Sequence, residues 1–93
     1  MQDFLNKTDE SAFELSGELT IYNAEALKKS LAPVFDLADA RLSVDCTGIK
    51  EIDGAGLQVL LVCRNHSMAN GGELLLTNVP EVMQQLFDVV GAE

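Results

Sequence analysis

Few side chains in this sequence could run a reaction, and their spacing does not bring them together. His66 is the only histidine. At helical spacing it follows Val59, Val62 and Cys63, which places it at the end of an apolar stripe as a structural or surface residue. Ser16, Ser30, Ser43 and Ser67 lack the glycine-flanked turn of a nucleophile elbow, and a single histidine is a poor start for a triad. Glu14 with Glu18, and Glu51 with Asp53, are paired acids. Nothing apolar surrounds either pair to raise a carboxyl into the working range of a general acid. Cys46 and Cys63 have no histidine at ligand spacing, so free buried thiols are expected and neither a zinc site nor another metal site is. No catalytic residue and no cofactor is predicted. The chain reads as a protein that is not an enzyme.

What remains is Asp53-Gly54-Ala55-Gly56-Leu57. Asp before a first helical turn is a favoured N-cap, because its carboxylate accepts a hydrogen bond from an unpaired backbone N–H. The two glycines leave backbone uncovered there, so a partner or an anion could approach the helix start. No Walker lysine follows, and a lone Gly-x-Gly is weak evidence for phosphate binding. A tight strand-to-helix turn is the stronger reading of the glycines. An accessible helix start without a reactive group points to docking. Thr47, between a strand and Gly48, is ordinary turn chemistry, with phosphorylation there a lesser alternative.

The elements that must position this segment alternate between strand and helix. Phe4 and Leu5 suit an edge strand, followed by a turn over Asn6 to Ser11. Ala12 to Ser16 alternates apolar with polar, as a half-buried strand does, and Gly17 is expected to break it. From Asn23, residues Ala24, Leu27, Leu31, Val34, Phe35 and Ala38 recur at helical spacing. Pro33 interrupts that run, and because the stripe keeps its phase, one kinked helix is favoured over a break. Ala40 to Asp45 reads as a short strand, and Cys46 to Glu51 as a turn.

A helix is predicted from Gly54 to about Met68, with Leu57, Leu60, Leu61 and Met68 on one side. Val59, Val62 and Cys63 form a second apolar side, to be covered by the last helix or, failing that, by another molecule. Asn70-Gly71-Gly72 is a turn, and Glu73 to Thr77 a buried strand. Pro80 opens the final helix, Val82, Met83, Leu86, Phe87 and Val90 form its stripe, and Gly91 ends it. This order predicts an α/β fold in a single domain, 1–93. A small mixed sheet of about four to five strands carries helices mainly on one face.

Six basic against fifteen acidic residues give a formal charge of −9. Nucleic-acid binding needs a basic footprint that this chain lacks, and an anionic membrane would repel it. The longest wholly apolar run, Val59 to Cys63, is far short of the ~20 residues that a membrane span requires. Met1 to Lys7 has neither the basic start nor the apolar core of a signal peptide. Together with the unpaired thiols, this predicts a cytoplasmic protein.

With these residues in view, the chain resembles the STAS domain, the family of anti-sigma-factor antagonists and their relatives, over about residues 12 to 90. The resemblance rests on Ile52-Asp53-Gly54-Ala55-Gly56-Leu57 preceded by Asp45-Cys46-Thr47-Gly48, on Gly17-Glu18-Leu19, and on the closing helix Pro80 to Val90. It implies bacterial signal transduction and transcription regulation by partner switching. In switching members Asp-Ser-Ser-Gly carries a phosphorylated serine; here Gly54 and Ala55 stand at the two serine positions. Ala55 has no hydroxyl, so that switch cannot operate. Thr20 stands where an Asp is common in such antagonists.

The implied site is a partner-binding surface made of Asp53, Gly54, Ala55, Gly56 and Leu57 with Thr20, Ile21 and Asn23. Its partner is expected to be an anti-sigma factor of the serine-kinase type. Two alternatives stay open: an accessory subunit of a larger assembly, such as a lipid-transport ABC system or a chemotaxis-associated complex, and a nucleotide or phosphate binder. The sequence leaves a homodimer open as well.

Overall fold

A four-stranded mixed sheet with helices packed against it forms the architecture of residues 4–90, the part that the structure, a computed structural model, describes. In chain order the elements are β1 (Leu5–Asp9), β2 (Ala12–Leu19), α1 (Ala24–Ser30), α2 (Ala32–Asp36), β3 (Arg41–Ile52), α3 (Gly54–Ala69), β4 (Glu73–Thr77) and α4 (Glu81–Val90). A single 3₁₀ turn, Ile21–Asn23, joins β2 to α1. The strand order is β1-β2-β3-β4. β1 and β2 form an antiparallel hairpin, whereas β3 runs parallel to both β2 and β4. Parallel neighbours need crossovers, which α1 with α2 supplies on one side of β3 and α3 on the other.

Alternation along the strands puts Phe13, Leu15, Leu42, Val44 and Leu74 into the core. Glu14, Ser16 and Leu75 point to the open face. The helices close the core with Leu27, Leu31, Val34, Leu57, Leu60, Cys63, Met83 and Phe87. Each such leucine contributes on the order of 1.5–3 kcal/mol by leaving water.

Four expectations about local structure are corrected. β1 continues to Asp9, so the turn predicted over Asn6 to Ser11 shrinks to Glu10 and Ser11. Its outer residues are exposed and polar, which hides a strand from a search for apolar alternation. β2 runs through Gly17 to Leu19, because Gly17 takes φ +99°, a conformation open to glycine at no steric cost, and stays paired with Ile49.

The kinked helix over 24–38 is in fact two short helices that meet at Leu31 (φ −83°, ψ 0°). Pro33, at the start of the second, fits there because the first N–H groups of a helix need no intrahelical partner. The turn predicted over Cys46 to Glu51 is strand throughout: Gly48, Ile49, Glu51 and Ile52 all pair with β2.

Around α3, Met68 and Val62 are exposed, while Ser67 is buried and donates to the Ala38 carbonyl at 3.3 Å. On the second apolar side of α3, Val59 and Val62 share a groove with Ala24, Lys28 and Phe35, so α1 and α2 flank the side that the last helix was expected to cover. Pro80 precedes α4, and its carbonyl accepts from the N–H groups of Met83 and Gln84. Val82 and Val89 are exposed. The Val90 side chain and Gly91 lie outside the described residues.

Candidate docking site at the start of α3

The site begins where β3 ends and α3 starts, beside the end of β2. Asp53 joins the two. Its Oδ1 accepts from Gly56 N–H at 3.0 Å, and its Oδ2 accepts from Ile21 N–H at 3.0 Å. Its own N–H donates to the Leu19 carbonyl at 3.1 Å. One carboxylate thus caps α3 and fixes the 3₁₀ turn 32 residues earlier in the chain. The Asn23 amide finishes the turn by donating to the Glu18 carbonyl at 2.8 Å. Thr20 makes no side-chain capping bond; the work at this turn falls to Asp53 and Asn23.

The hydrogen bonds from Gly56 and then Ile21 hold the Asp53 carboxyl below its ordinary 3.8. A lowered folded-state value means stability that is present above the unfolded value and lost as pH falls through the folded one. Asp53→Asn keeps a capping oxygen but cannot titrate, and its amide cannot accept from both N–H groups. The loss of stability between pH 7 and pH 3, followed by urea unfolding, is therefore expected to be smaller in the variant than in the wild type. An equal loss in both would remove Asp53 from the acid response.

Gly56 is not an opening in the surface. It is buried, and a Cβ added to it would overlap the Leu19 carbonyl oxygen. The glycine lets the first turn of α3 lie directly on the end of β2. Leu57 is 1% exposed and belongs to the core. The expectation of uncovered backbone at Gly56 and of Leu57 as part of the partner-binding surface is corrected, since both residues are buried. Gly54 is exposed, and a methyl group added there would meet nothing within 4 Å; Ala55 beside it is half-buried. The Gly56 N–H that an anion would need is already taken by a carboxylate.

The accessible part of the site is apolar and larger than the motif. Tyr22 is 93% exposed and Ile21 65%, both from the turn, and Val62 is 56% exposed one helical face along. A groove of about 500 Å³ is lined by Ala24, Lys28, Phe35, Ala55, Gln58, Val59 and Val62, from α1, α2 and the start of α3. Sequence reasoning does not single out Tyr22, Phe35, Gln58 or Val62 as site residues. An Ile-Tyr pair set between Thr20 and Asn23, with no helical partner in phase, is the available signal. His66 leans on Phe35 with ring centroids 5.2 Å apart, at the far rim of α3, as a surface residue.

Other sequence candidates lie elsewhere. Thr47 is exposed on β3, where its N–H and hydroxyl both donate to Asp45 Oδ1 (2.9 and 2.6 Å). Cys46 and Cys63 are buried free thiols, and burial pushes each up to about 11. Among the described residues no cluster of His, Cys, Asp and Glu could hold a metal ion. No described helix is long and apolar enough to cross a membrane.

Known proteins supply the frame for this geometry. The family model described as Mlab, STAS domain matches residues 4–93. The anti-sigma-B factor antagonist of Bacillus subtilis is 30% identical over 77 residues, covering 83% of this chain and 70% of that one. A candidate anti-sigma factor antagonist of Thermotoga maritima has the same fold, with a TM-score of 0.73 and 19% identity over 91% of this chain and 75% of that chain. The anti-sigma factor antagonist SpoIIAA in its unphosphorylated form gives a TM-score of 0.66 at 20% identity, covering 90% and 79%. The chain belongs to the STAS family, as a non-enzymatic, protein-binding regulatory domain of the anti-sigma-factor-antagonist type.

Proposed function

We propose that this domain is a partner-switch component that binds an anti-sigma factor of the serine-kinase type through the accessible start of α3, and that it stays binding-competent because it cannot be phosphorylated there. The supporting observation is the exposed Ile21 and Tyr22 on the turn that Asp53 ties to the start of α3, next to a groove lined by Ala55 and Val62, with a methyl group at the position where switching relatives carry a hydroxyl. A phosphate there would add roughly −1.5 to −2 charge to a surface suited to apolar contact. Exposed aromatic anchors flanking a groove are the usual source of binding energy in such interfaces. Gly54, with open space around it, allows close approach of a partner backbone. The reading puts the protein in the cytoplasm, where its partner would be.

Isothermal titration with a purified anti-sigma factor of the serine-kinase type tests the reading. Ala55→Glu sets a carboxylate on the groove and is expected to weaken binding at least ~10-fold, about 1.4 kcal/mol. Ala55→Ser is expected to bind as the wild type until a kinase and ATP are added. Unchanged affinity in Ala55→Glu would move the interface elsewhere.

A second reading, the permanently docked accessory subunit of a larger assembly such as a lipid-transport ABC system or a chemotaxis-associated complex, is favoured by the Mlab description of the matched family. It predicts co-purification at fixed stoichiometry that survives high salt, as expected of an obligate apolar interface.

A further inference from the structure

The two edges of the sheet are built differently. At one edge β1 reads Leu-Asn-Lys-Thr-Asp, is exposed and polar from Asn6 onward, and shifts register between Lys7 and Asp9. A lysine and an irregularity are the usual means of blunting an edge against further pairing. At the other edge β4 reads Glu-Leu-Leu-Leu-Thr and pairs regularly with β3 from Glu73 to Thr77. Among the described residues no strand pairs with its outer side. Leu75, on the open face, is 55% exposed.

Hydrogen-bond parity decides what such an edge can accept. Glu73 N–H donates to the Ala40 carbonyl, at 3.0 Å, so Glu73, Leu75 and Thr77 turn their backbone groups toward β3. Leu74 and Leu76 therefore turn theirs outward, by the two-residue period of a strand. A second β4 laid antiparallel about a two-fold axis at Leu75 sets Leu74 opposite Leu76 twice. Each of those is a hydrogen-bonded pair that exchanges both N–H groups, giving four bonds and satisfying every outward group. In the same register Glu73 faces Thr77 instead of another Glu73, and the two exposed Leu75 side chains cover each other.

On the helix side of this edge a hollow of about 270 Å³ lies between β4 and α4, floored by Leu74, Leu76, Val79 and Phe87. It leaves room for the second strand's leucines.

We propose that β4 is a homotypic docking edge, through which two copies of this chain join antiparallel into one eight-stranded sheet. The occupant is a second copy because the register is self-complementary in hydrogen bonds and apolar contact while it keeps the two Glu73 carboxylates apart. Five residues of strand make a small interface, and two chains of charge −9 repel, so the dimer is weak, concentration-dependent and strengthened by salt. This edge is separate from the docking surface at α3, so the dimer can form with that surface free.

Sedimentation velocity from roughly 10 μM to 1 mM, with and without about 0.5 M sodium chloride to screen the charge, tests the proposal. The wild type is expected to shift from monomer to dimer with rising concentration, and at lower concentration in salt. Leu75→Lys sets two like charges against each other at the axis and is expected to raise the dimer Kd at least tenfold. Because Leu75 is exposed, circular dichroism and Tm should not change. Amide exchange read by NMR should slow at Leu74 and Leu76 as the wild type is concentrated. A wild type that stays monomeric at the highest concentration overturns the proposal, even if the edge takes up an extended peptide. So does a dimer that Leu75→Lys leaves intact, or one that protects amides elsewhere.

Discussion

Gly56→Ala is expected to destabilise the domain by about 3 kcal/mol or more, the upper part of the range for forcing extra atoms into a packed site. The added methyl would overlap the Leu19 carbonyl oxygen and stand 2.6 Å from its carbon, both backbone atoms that cannot swing aside. Relief requires α3 to lift off the end of β2. That movement would also stretch the Asp53 hydrogen bonds to Gly56 and Ile21. For a domain of this size each kcal/mol moves Tm by roughly 4–8 °C, so a fall of roughly 12–24 °C is expected by circular dichroism. Gly54→Ala, two residues earlier, meets nothing within 4 Å. It is expected to leave Tm unchanged or raise it slightly, through the smaller entropy of its unfolded chain. Equal Tm values for the two variants would refute the assignment of Gly56 to close approach and Gly54 to open surface.

Leu57→Ala is expected to cost about 2–5 kcal/mol, the usual range when a buried leucine leaves a cavity. Its side chain is 1% exposed, so any loss of partner binding in this variant should follow the fraction unfolded and recover where folding is restored. Tyr22→Ala is the counterpart. With 93% exposure its removal should change stability by no more than about 0.5 kcal/mol. Under the proposed function it should weaken partner binding at least ~10-fold, since an aromatic anchor at the groove is lost. Urea unfolding and titration of both variants separate the two roles. If Tyr22→Ala bound like the wild type, the groove would not be the interface.

The sequence discloses the order of elements and the position of α3 well, and β3 poorly, for a physical reason. Its pairing with β2 shifts register twice, between Glu14 and Ser16 and between Gly17 and Glu18, as β3 carries extra residues opposite those steps. After Val44 and Cys46 the buried residues of β3 are Ile49 and Ile52, three apart instead of two. Bulges of this kind break the alternation on which strand recognition rests. Gly48, Lys50 and Glu51 then look like a turn, and only the neighbouring strand reveals otherwise.

The site itself is half legible. Asp53 announces a helix cap, but its second bond, to Ile21, joins positions 32 residues apart that no local pattern connects. Gly56 looks like exposed backbone because sequence does not show that Leu19 ends beneath it. The groove escapes notice since its walls, Ala24, Phe35 and Val62, each pass for ordinary helix stripe.

The central position of β3 has a consequence for how the chain is made. Its partners lie on either side of it in sequence, β2 before and β4 after. When Ile52 leaves the ribosome the β2–β3 pair can zip, yet α3 and α4, which cover its apolar side, have still to emerge. The stretch from Gly54 to Val90 that carries them takes roughly 2–7 s to emerge at ~5–20 residues per second. For those seconds the nascent ribbon shows Leu15, Val44, Ile49 and Ile52 to the solvent, and a chaperone is expected to meet this surface before any regulatory partner does.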